Sequence, residues 1–168
     1  MRKALLLAAF LAAPALASQA ISISVEELTR RSDLILRGRV DGVSAAWSED
    51  GARIFTTAEV VPSAFWRGGA AGTVKVLVPG GVVGHVAQRV DGAPSLTPGE
   101  EVVLFLIRAE AGDYRVSGLV QGKYTVERGV ARPDLSKVEF VRVEVKPGEK
   151  AAGPMPLEEL ERRVRSVR

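Results

Sequence analysis

Cysteine is missing from this 168-residue chain, and histidine occurs once, at position 85. The first absence excludes disulfides, which small exported domains often use, and any thioether lipid anchor at a processing site. Together the two absences leave no ligand set for a zinc or iron centre, which draws at least two His or Cys side chains. Asp41, Asp50, Asp91, Asp113 and Asp134 are scattered and form no D-x-D-x-D-G calcium loop, so no metal or other cofactor is expected. Long apolar runs are also missing beyond the first twenty residues. The longest is Val102 to Ile107, whereas a membrane helix needs about 20 residues. Aromatic side chains make up only 5% of the chain, so a stacking surface has few candidates.

What is present begins with Met1-Arg2-Lys3, the apolar stretch Ala4 to Ala13, and Pro14-Ala15-Leu16-Ala17. A basic start, a short hydrophobic run and a small-x-small site are the three parts of a secretory leader. Cleavage after Ala17 is the first choice, and Ser18-Gln19-Ala20 offers a second site. The expected location is therefore periplasmic or secreted, with no membrane insertion once the leader is gone. Arg2 and Lys3 leave with it, so 21 basic side chains face 20 acidic ones. A near-neutral protein lacks the basic excess of a nucleic-acid binder, and no nucleic-acid partner is expected.

Hydrophobic periodicity divides the remainder into a β-rich body, residues 21–146, a Pro/Gly linker, 147–156, and a terminal helix, 157–168. Ser24 and Glu27 have capping-box spacing, predicting a short helix from Val25 to Arg31 docked by Val25 and Leu28. Glu26/Arg30 and Glu27/Arg31 are i,i+4 pairs. Asp33 to Val43 alternates, with Leu34, Leu36 and Val40 on one face and Gly38 inward among them. Ile54 to Val61 and Thr73 to Val78 continue an antiparallel meander. Val82 to Val90 reads as a weaker, bulged strand. The apolar run at Val102 implies a central strand buried on both faces. Tyr114 to Val120, Lys123 to Val126 and Val138 to Val145 read as further strands. Leu157, Leu160, Val164 and Val167 make one apolar helical stripe that packs on the body, with Pro156 suited to the first helical position.

Three segments carry a family likeness: Ser32-Asp33-Leu34-Ile35-Leu36-Arg37-Gly38-Arg39-Val40, Trp66-Arg67-Gly68, and Gly99-Glu100-Glu101 leading into Val102 to Leu106. In this order they resemble the netrin-like domains, which include the tissue inhibitors of metalloproteases. The overall pattern also resembles uncharacterised exported proteins of Gram-negative bacteria, a likeness that bears on fold and not on activity. The resemblance spans roughly Asp33 to Val120 and implies a mainly β fold: a small five-stranded OB-like (netrin-like) barrel. Extra strands, a short N-terminal helix and a C-terminal amphipathic helix complete it. The inhibitors chelate a protease zinc through an amino-terminal cysteine, so their mechanism does not carry over to a chain without one.

Catalytic chemistry finds little to work with. No G-x-S-x-G elbow or phosphate loop is present, and Glu100 and Glu101, adjacent on a strand, point to opposite faces. A hydrolase would have to use His85 as its base. The expected role is a non-enzymatic binding or accessory module for a protein, peptide or glycan. Trp47, Phe55, Phe65, Trp66 and Tyr124 are the aromatic candidates. Trp66 and Arg67 beside a glycine loop, then Trp47 and His85, are the ligand-binding candidates. The alternatives are a protease inhibitor acting through Gly80–Gly84 or Arg67–Gly72, and a hydrolase centred on His85.

Overall fold

The computed structural model describes residues 18–109, 112–136 and 138–167, so the expected leader, residues 1–17, lies outside the described residues. Strand β1 (Ser18–Ile23) leads into helix α1 (Val25–Arg31), capped by the Ser24 hydroxyl, which accepts from the Glu27 N–H at 3.0 Å. Val25 and Leu28 are buried, as their spacing predicts. The Glu26/Arg30 pair does not form. Glu26 instead accepts from Arg163 at 2.8 Å, and Arg30 bonds Glu27 and Glu149. A carboxylate on the buried side of a two-turn helix is cheaper to hold beside a cation of the packed element than to swing into solvent.

The meander is β2 (Leu34–Trp47), β3 (Ile54–Arg67) and β4 (Val74–Pro79). The strand β7 (Glu101–Arg108) lies antiparallel to the first half of β2, from Leu34↔Leu106 to Arg39↔Glu101. A short strand, β8 (Tyr114–Val116), then pairs antiparallel with β7 and parallel with β4 at Val76↔Tyr114. The ring β2-β3-β4-β8-β7 therefore closes as a five-stranded barrel, compatible with an OB-like fold. Gly38 sits at a register shift in β2, where a Cβ would lie 2.6 Å from the Val61 carbonyl oxygen. The missing side chain is what permits this close approach of β3.

Two cores share β7. Val102, Leu104 and Leu106 fill the barrel with Leu36, Val60 and Val76. Val103 and Phe105, on the other face, lie in a second core with Leu28, Tyr124 and Leu160. This second layer includes β9 (Lys123–Glu127), β10 (Val130–Arg132), and helix α2 (Leu157–Ser166), whose Leu160 and Val164 are buried. Pro156 is the N-cap of α2 rather than its first helical residue. The Tyr124 hydroxyl is buried in no hydrogen bond, and burial pushes its ionisation well above the usual tyrosine range, against a smaller pull from the Gly153 backbone.

Several expected boundaries move. Residues 147–156 are strapped to the body: the Val25 N–H donates to Lys150 O at 2.8 Å, and β12 (Met155–Pro156) pairs with β10. Tyr114 to Val120 is strand only to Val116, then a 3-10 turn, Leu119–Gly122. The weak strand Val82 to Val90 is a hairpin, β5 (Gly81–Val83) and β6 (Val86–Gln88). The last strand, β11 (Val138–Glu144), runs parallel to β1 in a separate two-stranded sheet. The other side of β1 is met by the buried Gln121 amide, which donates to Ile21 O and accepts from the Ile23 N–H.

Candidate functional site

The sequence candidates do not converge. Trp66 is no loop-tip aromatic: it lies within β3, 6% exposed, in the second core with Phe105 and Leu160. A register shift between Ile35 and Leu36 sets Arg67 opposite Ile35 and Phe65 opposite Leu36, leaving Trp66 between them. Arg67 is half-buried at the end of β3. Trp47 sits at the far end of the same hairpin, paired with Ile54 and 43% exposed. Twelve strand positions at about 3.3 Å each put the two tryptophans roughly 40 Å apart along the strand. Of the five aromatic candidates, Phe55 and Phe65 are half-buried and Tyr124 fully buried, so Trp47 alone presents a largely open ring.

His85 is exposed at the turn between β5 and β6, and no described residue hydrogen bonds to it. The turn is two residues long, and Gly84 holds its first position with φ +59°, the conformation a type II′ hairpin reserves for glycine. Among the described residues no three His, Cys, Asp or Glu side chains gather where a metal ion would be held.

The hairpin, by contrast, is firmly seated at its base. Thr56 Oγ1 donates to Gly80 O at 2.8 Å, the Gly80 N–H to Ile54 O at 2.8 Å, and the Ile54 N–H to Gln88 Oε1 at 2.5 Å. Gly81 presses onto the β2–β3 arm so closely that a Cβ would lie 2.5 Å from Thr56 Oγ1. Between this base and the loop running from Arg89 to Leu96 lies a groove of about 480 Å³. Val78, Val82, Val90, Leu96 and Val120 give it apolar walls, and Arg89, Asp91, Lys123 and Asp134 supply charge of both signs. That size and balance suit a small ligand or a few side chains of a larger one.

Lys123 fixes one wall. Its Nζ donates to Ser95 O at 2.6 Å and to Glu100 Oε2 at 2.9 Å, while Glu100 Oε1 accepts from the Thr97 N–H at 2.7 Å. The 3-10 turn borders the same groove through Val120, whose N–H donates to Gly92 O at 3.1 Å. Its neighbour Leu119 is held at φ +56° and exposed, a left-handed setting that costs a non-glycine residue about 1–2 kcal/mol. Sequence reasoning missed the groove. The available signal was a run from Val76 to Gln88 without Asp, Glu, Lys or Arg, the longest after Glu26. No protein-family model matches the chain, and no curated protein matches it either.

Proposed function

We propose that the protein is an exported, non-enzymatic binding or accessory module, periplasmic or secreted, whose ligand is a protein, peptide or glycan. The observation that carries this reading is the groove of about 480 Å³ beside the β5–β6 hairpin, largely apolar-walled and braced by a part-buried ion pair. The leader-like start and the near-neutral charge expected after its removal agree with it. A netrin-like relationship rests on the three sequence segments and on the compatible barrel, and extends the proposal to fold ancestry only.

Residues 18–168, used as bait against the exported fraction of the source cells, should retain a partner that Val90→Trp, which fills the groove, fails to retain. Retention by neither protein, or equal retention by both, would remove the groove as the site. The hydrolase alternative draws no support from the surroundings of His85. The inhibitor alternative keeps the seated hairpin at Gly80–Gly84 in its favour, and stoichiometric loss of protease activity would establish it.

A further inference from the structure

The β2–β3 arm leaves one strand edge open. Strand β7 pairs with β2 only as far as Arg39, and the Gly99 N–H and Glu100 O bond Val40 before the chains part. From Gly42 to Trp47, β2 pairs with β3 on one side and, among the described residues, no strand hydrogen-bonds to the other, although β5 packs across the arm at Ala45.

The direction of its backbone groups follows from the printed bonds. Ile54 sends its N–H to Gln88 and its carbonyl to the Gly80 N–H, both away from β2. Its partner Trp47 therefore occupies a non-hydrogen-bonded pair, and ladder alternation gives Ala45 and Val43 the same setting. The N–H and C=O groups of Val43, Ala45 and Trp47 consequently point outward, while Gly42, Ser44 and Ala46 bond β3.

An open edge is normally guarded by charge, proline or a bulge. Here a bulge at Val40/Gly42 and Asp41 precede the segment, and Gly42 to Trp47 carries no charge and no proline. The hairpin seated on the arm continues this character: Val82 and Val86 are exposed along with Val43 and Trp47, and the segment from Val82 to Val86 holds no Asp, Glu, Lys or Arg. Charge depletion with exposed apolar and aromatic side chains marks the centre of a protein interface. The flanking charges, Glu49, Asp50, Arg53, Arg89 and Asp91, are of mixed sign, whereas attraction to an anionic lipid surface needs a basic cluster. Unmet backbone donors and acceptors on a strand are matched by another backbone.

We propose that the β2 edge at Val43, Ala45 and Trp47 accepts an extended, uncharged segment of a partner protein as an added strand. This rests on the binding-module reading and names the partner's contribution to it. The test uses the mature chain and the partner it retains. Val43→Pro removes one outward N–H, and Val43→Lys restores an edge guard; neither touches the β3 ladder, and unchanged circular dichroism confirms the fold. Each should weaken retention about tenfold or more, and hydrogen exchange at Val43, Ala45 and Trp47, fast in the free protein, should slow in the complex.

Retention insensitive to both variants but lost in Val90→Trp overturns the strand proposal and leaves the module reading standing. Absence of any retained protein overturns both. Slow exchange in the free protein that depends on its concentration assigns the edge to a second copy. Sedimentation with phosphatidylcholine/phosphatidylglycerol vesicles, abolished by Val43→Lys, assigns it to lipid. Either result overturns the proposal.

Discussion

Replacing Glu100 by glutamine tests how the groove wall is held. The Glu100 and Lys123 side chains are 16% and 10% exposed and meet at 2.9 Å, so the ammonium depends on that carboxylate and on Ser95 O. Glutamine keeps the shape and removes the charge, leaving a cation in a mostly dry site. Breaking a fully buried pair costs about 3–5 kcal/mol. The residual exposure admits some water, so about 2–3 kcal/mol is expected here. Lys123→Met is milder, at about 1–2 kcal/mol, because Glu100 is the more exposed partner and keeps its bond from the Thr97 N–H. The double variant should cost less than the sum of the two, leaving a coupling of about 1–2 kcal/mol. Urea unfolding followed by the emission of the buried Trp66 reads all three. Glu100→Gln costing under about 0.5 kcal/mol, or additive single costs, would refute the claim that this pair braces the wall.

Tyr124→Phe should leave stability unchanged within about 0.5 kcal/mol or raise it slightly, because the hydroxyl is buried in no hydrogen bond; a urea midpoint lowered well beyond that would reveal a partner for the oxygen. Leu160→Ala should cost about 2–4 kcal/mol, since Leu160 is fully buried between α2 and the second core, read as a lower melting temperature by circular dichroism. The carboxyls of Glu27, beside Arg31 and Arg30, of Glu149, beside Ser24 and Arg30, and of Glu159, beside Arg163 and Lys150, are held below the usual 4.5. The unfolded chain therefore binds more protons in that range, so this stabilisation is complete above about pH 4.5 and is lost as pH falls through the lowered values. Melting temperatures between pH 6 and pH 3 should fall along that course, less steeply at high salt because these groups are near solvent.

What the sequence disclosed depended on whether a single local cause decided the outcome. Six apolar residues from Val102 have no polar face to offer water, so burial on both sides of β7 was legible and the second core accounts for it. The Ser24 cap and the Leu160/Val164 stripe are likewise local. The five-stranded barrel was expected from the family likeness and is what forms; strand spacing alone did not decide its closure, because that turns on one parallel pair, Val76↔Tyr114, between strands distant in the chain. Trp66 was misplaced because a register shift buries a side chain that its glycine-rich neighbourhood advertised as exposed. The hairpin was misread because Gly84 weakens a strand and makes a two-residue turn equally well. Only the facing pairs Val83↔Val86 and Gly81↔Gln88 separate the two. The chosen site residues inherit this limit: Trp47 and His85 are exposed as ligand contacts must be, but nothing in their sequence surroundings announces a groove assembled from β4, the hairpin and the 3-10 turn.

The junction that ends the β2–β7 pairing sets where the open edge begins. Gly99 and Glu100 bond Val40 from one side, and Glu100 turns its carboxylate onto Lys123 and the loop from Ser95. Beyond Val40 the bulge swings β2 away, so β7 has nothing further to pair with and the arm continues on β3 alone. The arm gains rigidity instead from Gly81, Thr56 and Ile54, which belong to the hairpin contact and not to the ion pair. The two supports are thus separable. Loosening the wall with Glu100→Gln should accelerate hydrogen exchange at Thr97 while leaving Ser44 and Ala46 protected by the β3 ladder. Parallel acceleration at all three would mean that groove and edge are one cooperative unit, and that a ligand in the groove would control access to the strand edge.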